Sequence, residues 1–134
     1  MHAFRKAVEA GDHTAVEALL ADDVVFTSPV VFRPYPGKAI TAAILRGASH
    51  VFEDFRYVRE INDANGYDSA LVFTARVGDK QIEGCDFLRT DDTGRITELT
   101  VMVRPLSAAQ ALAAAMGAEF ERVEREAAGS QDRP

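Results

Sequence analysis

Asp86 is the residue with the clearest chemical potential. Ile82, Gly84, Asp86 and Leu88 alternate with Glu83, Cys85, Phe87 and Arg89. In an extended strand, alternate side chains share a face. Three of the first four are apolar or glycine, so that face reads as buried. A carboxylate there is costly unless it is hydrogen-bonded or protonated. One reading is a neutral-leaning acid that hydrogen-bonds a ligand carbonyl or acts as a lone acid/base. The other is a structural aspartate bonded to a helix backbone or an arginine. His50, near Phe52 and Phe55, is expected to face the interior. It would serve either as an acid/base in the useful pH range or as a helix-terminal partner of the helix dipole. Ser28 shares a face with Val24 and Phe26; it either donates to a ligand or satisfies the loop backbone. Tyr35, held between Pro34 and Pro36, is expected in a loop over a pocket mouth, as a lid residue or as packing for its own loop. Leu99, Val101 and Val103 share a face that is read as pocket or core, which leaves Arg104 on the outer face.

Other chemistries find no support. His2, His13 and His50 are widely separated, and Cys85 is the lone cysteine, so no metal site is expected. Cys85 points away from Asp86 and has no histidine to activate it. There is no Ser-His-Asp order, glycine-rich phosphate loop or dinucleotide fingerprint, and no cofactor is expected. The net charge is −6, with a pI near 5.0, which argues against a nucleic-acid partner. No apolar run approaches the roughly 20 residues of a membrane span, and residues 1–10 lack the apolar core of a signal peptide. A cytoplasmic protein is the expectation. The 134 residues, 47% hydrophobic and 27% charged, suit one globular domain.

The elements that must position these residues follow from periodicity. Phe4, Ala7 and Val8, then Val16, Leu19 and Leu20, recur at helical spacing. Gly11 separates two helices, and Asp12 can cap the second, which is expected to end near residues 21–23. Val24–Ser28 reads as a short strand and the proline-rich stretch 29–37 as a loop. Residues 38–52 return to helix. Four strands follow, at about 54–61, 67–77, 80–90 and 95–104, joined by turns at Asn65-Gly66, Gly78-Asp79 and 91–94. Ser107 can cap a last helix, from Ala108 to about Glu126, and residues 129–134 are expected to be a disordered tail. Segregated helices and meandering strands mean an α+β fold in one domain, residues 1–128. Its antiparallel sheet should bend strongly around the N-terminal helices, with a pocket between them.

This order of elements, with LLADDVVFTSPV after the Gly-Asp helix start and IEGCDFLRTDDTGRITELTVMVRP later, resembles the nuclear-transport-factor-2-like superfamily over residues 3–105. The SnoaL-like and ketosteroid-isomerase-like branch is the nearest in pattern. The resemblance implies a cone-shaped α+β barrel, with the C-terminal helix as an extension. It also implies a homodimer through the outer sheet face. Members include isomerases, epoxide hydrolases, polyketide cyclases, dehydratases and non-catalytic binding domains. The isomerases use a carboxylate base, a tyrosine and a protonated aspartate. Placed on that pattern, the base falls at Ser28, the oxyanion tyrosine at Phe4 and a further, supporting tyrosine at Leu45. Only the oxyanion aspartate survives, as Asp86. The epoxide hydrolase pattern of an arginine and two aspartates fits less well, because Gly84 stands two residues before Asp86.

The first expectation is therefore a SnoaL-like domain that binds a small hydrophobic molecule in an apolar pocket lined by Phe4, Phe26, Ser28, Tyr35, Leu45, Leu88, Leu99, Val101 and Val103. The alternative is an isomerase, cyclase or dehydratase acting on a polyketide-like or terpenoid carbonyl compound, with Asp86, aided by His50, as acid/base. A third is a regulatory dimer whose pocket is filled by Phe4, Phe26, Phe52 and Phe55.

Overall fold

The computed structural model describes residues 1–131. Helix α1 (Ala3–Glu9) is capped by His2, whose Nδ1 accepts the Phe4 N–H at 3.0 Å. Gly11, at φ 67°, makes the turn that a side chain would strain. Asp12 then caps α2 (His13–Leu19) by accepting the Ala15 N–H at 3.0 Å. Strand β1 (Leu20–Thr27) starts directly at the end of α2, earlier than periodicity predicts. The pairing partner decides this. Leu20 sits beside Ile96 and Val25 beside Glu98, so an irregular stretch between them turns Asp22 and Asp23 to solvent.

A two-residue strand, β2 (Tyr35–Pro36), lies inside the expected loop and pairs with Phe26 and Val25. It is an edge strand, where a proline's missing donor costs little. Helix α3 (Lys38–Val51) tolerates Gly47 because the last helix, α4 (Leu106–Gln131), packs there: a Cβ would lie 3.0 Å from Val123 Cγ2. Strands β3 (Glu53–Asn62), β4 (Asp68–Val77), β5 (Lys80–Thr90) and β6 (Ile96–Arg104) form the expected meander. Helix α4 is longer at both ends than expected. Residues 129–131, assigned from sequence to the tail, are helical; 132–134 lie outside the described residues.

The six strands form one open sheet in the order β2-β1-β6-β5-β4-β3. The α+β class is as expected, but the sheet is mixed, because β1 pairs with β6 in parallel. The helices pack on one face, where Leu20, Leu71, Phe73, Ile96 and Leu99 are almost fully buried. The opposite face leaves Phe87 and Met102 exposed. Strand β3 carries a bulge. Tyr57 pairs with Phe73 and Arg59 with Val72, so Val58 is an extra residue. Strict alternation of side chains along the strand therefore breaks after Tyr57. Arg59 and Ile61 are exposed, and Glu60 turns toward α1, where it accepts the His2 N–H at 3.0 Å and pairs with Arg5 at 3.4 Å. No helix among the described residues is long and apolar enough to cross a membrane.

Candidate ligand site

A cavity of about 1010 Å³ lies between the concave sheet face and the helices. That is the upper end of the size range of small-molecule sites. Phe52, Phe55 and Phe73 form one aromatic wall, with Phe55 stacked on Phe73 at 4.8 Å between ring centres and Phe52 at 5.6 Å from both. Phe26, Tyr35 and Phe120 form another, with neighbouring rings 6.4 and 6.1 Å apart. Helix α4 closes the cavity with Leu112, Met116 and Phe120.

Asp86 borders this apolar space from β5 and is only 7% exposed. The parity read from the sequence holds: Ile82, Gly84, Asp86 and Leu88 are buried, while Glu83, Phe87 and Arg89 are exposed. The Tyr57 hydroxyl donates to Asp86 Oδ2 at 2.6 Å. Burial pushes the Asp86 carboxyl up to about 7, and the Tyr57 hydrogen bond opposes that rise without cancelling it. Burial, then the nearby Asp86 charge, raises the Tyr57 hydroxyl far above its ordinary range, so it stays protonated as a donor. The other Asp86 oxygen, Oδ1, has no hydrogen-bond partner among the described residues. The structural reading of Asp86, bonded to a helix backbone or an arginine, is thus replaced by a tyrosine partner. The remaining Asp, Glu, His and Arg side chains at the cavity (Glu9, Asp12, His13 and Arg56) are exposed. No group of three or more His, Cys, Asp or Glu side chains among the described residues is placed to hold a metal.

Phe4, Phe26, Ser28, Tyr35, Leu45 and Val101 all border the cavity with Asp86. Ser28 also accepts the Val30 N–H at 3.1 Å, so it satisfies its loop as well. Leu88, Leu99 and Val103 do not border it. Leu88 and Leu99 are fully packed in the core, and Val103 is half-buried against that core. His50 is also elsewhere: it is exposed, with Nδ1 against the Arg122 guanidinium and 3.9 Å from Glu119. It follows Gly47 by three residues, on the side of α3 that meets α4, so it reaches the rim of that helix seam.

Tyr57 is the polar site residue that sequence reasoning missed, and Phe73, Leu112, Met116 and Phe120 of the cavity wall were also not among the expected lining residues. The signal for Tyr57 was there in part: Phe55 and Tyr57 share a face, and a buried carboxylate needs a donor. What sequence lacks is the register that sets Tyr57 two strands from Asp86.

The family model for the SnoaL-like domain matches residues 1–99. The chain belongs to the SnoaL-like domain family. A crystal structure of a steroid delta-isomerase from Pseudomonas aeruginosa is 39% identical to this SnoaL-like domain, with a TM-score of 0.84 over 89% of this chain and 87% of that one. A conserved bacterial protein with a cystatin-like fold from Silicibacter pomeroyi DSS-3 is 32% identical, with a TM-score of 0.82 over 94% and 95% of the two chains. Among proteins of curated function, none matches this domain.

Proposed function

We propose that this SnoaL-like domain binds a small, largely apolar molecule by a carbonyl or enol oxygen, and that Asp86 holds that oxygen. The observation that carries the reading is the carboxyl at the apolar cavity with one oxygen taken by Tyr57 and the other without a partner among the described residues. Below about pH 7 that carboxyl is neutral and has one O–H to give. With Tyr57 donating to Oδ2, the proton is left on Oδ1 for a ligand oxygen. A hydrogen bond in such a low-dielectric space is stronger than in water.

A second reading is favoured by the relative named a steroid delta-isomerase and by titration near neutrality, the range in which an acid/base group is most effective. In it Asp86 transfers a proton to or from the bound carbonyl compound. Ser28, Phe4 and Leu45 stand where the isomerase pattern has its other polar groups, so the proton transfer rests on Asp86 alone.

Asp86→Asn tests both readings. The amide still accepts from Tyr57 and still donates an N–H, but it does not titrate. With a Δ5-3-keto steroid as probe, binding retained by the variant and no turnover by either protein supports the first reading. Turnover by the wild type that vanishes in Asp86→Asn at retained binding establishes the second. Equal turnover by both would remove Asp86 from the chemistry.

A further inference from the structure

The Tyr57–Asp86 hydrogen bond spans an unusual distance across the sheet. Tyr57 on β3, Phe73 on β4 and Gly84 on β5 stand in one row, and Asp86 stands opposite Leu71 in a neighbouring row of the same face. Adjacent strands lie about 4.8 Å apart, so the Tyr57 side chain must lie down across β4 to reach Asp86. Phe73 is the residue in its way.

Gly84 resolves the conflict. A Cβ there would lie 2.7 and 2.9 Å from Cε1 and Cε2 of Phe73 and closer still to its Cζ. The Phe73 ring therefore rests on the bare backbone of β5, in space that any other residue would fill. Laid flat, it stacks under Phe55, with 4.8 Å between centres and 29° between planes. Tyr57 then meets both rings edge-on, 5.0 Å from Phe55 at 89° and 6.3 Å from Phe73 at 86°. Two aromatic contacts at right angles leave the tyrosine ring little freedom, and its hydroxyl ends on Asp86.

We propose that Gly84 and Phe73 are the positioning pair of this site: the missing side chain at Gly84 seats Phe73, and the seated ring holds the Tyr57 hydroxyl on Asp86. Neither residue needs to touch the ligand for this role. Its importance to function rests on the assignment of Asp86 as the oxygen-holding group, but the geometry can be tested with no ligand present.

The experiment is a carbon-13 NMR titration of the Asp86 carboxyl in the ligand-free protein, in wild type, Tyr57→Phe, Phe73→Leu, Gly84→Ala and Phe73→Leu/Tyr57→Phe. Losing the Tyr57 hydrogen bond removes the contact that favours the carboxylate, so Tyr57→Phe raises the Asp86 midpoint. Phe73→Leu and Gly84→Ala are expected to raise it in the same direction. Phe73→Leu should add nothing in the Tyr57→Phe background. An unmoved midpoint in Phe73→Leu overturns the proposal, as does a shift of equal size with and without the tyrosine hydroxyl. If Gly84→Ala does not fold, the cycle between positions 73 and 57 decides by itself. A positive cycle in a protein that binds no carbonyl compound would refute the proposed function and leave the positioning pair standing.

Discussion

Asp86 is charged in the unfolded chain above its ordinary value of 3.8, yet in the folded protein it keeps its proton up to about pH 7. Between those limits the native state binds the extra proton, so stability falls as pH rises. The contribution is complete below pH 3.8 and gone above about 7. Asp86→Asn removes the titration while keeping an acceptor for Tyr57. The variant is therefore expected to lack this downward slope and to be more stable than wild type at pH 8, as read from urea midpoints at pH 5 and pH 8. A variant that loses stability at pH 8 would mean that the native site stabilises the charged carboxylate. At this scale the sequence was legible where parity alone decides, as at Asp86. It was not legible at Tyr57, whose partner depends on the register of three strands. Nor was it at His50, where helix phase places the ring at the seam with α4 and away from the cavity.

At the level of elements, α4 is what completes the cavity. Leu112, Met116 and Phe120 line it, while Gly117 also borders it, exposed, and a Cβ at that position would meet nothing within 4 Å. A glycine in a helix interior costs about 1 kcal/mol relative to alanine. Gly117→Ala is expected to recover most of that and to raise the melting temperature by roughly 2–8 °C. A destabilised variant would contradict the open space at that position. Leu112, 3% exposed, has no such latitude, and Leu112→Ala should cost about 2–5 kcal/mol in a denaturant titration. A cost well below that would show that α4 is not packed on the sheet as described. Local signals sufficed for β5, which is bounded by turns at both ends and matches its expected limits. They failed for β1 and β2. The first follows a partner strand far away in the chain, and the second exists only through its pairing with β1.

For the whole molecule, a mixed open sheet, three short or medium helices and one long helix enclose a large apolar cavity with Asp86 on its wall. The general architecture could be read from hydrophobic periodicity and turn chemistry, because both are local. The shape of the cavity could not, because α4 and the aromatic wall come together only in three dimensions. The central claim is that the neutral Asp86 carboxyl donates to a ligand oxygen. Its most direct test is the affinity for androst-4-ene-3,17-dione at pH 6 and pH 8, by titration calorimetry, in wild type and Asp86→Asn. The neutral fraction of a group that titrates near 7 falls about tenfold over that interval, so wild-type affinity is expected to fall by about the same factor. Asp86→Asn should bind with one affinity at both values. Wild-type binding that is equally tight at pH 6 and pH 8, or a pH dependence that survives in Asp86→Asn, would contradict the account.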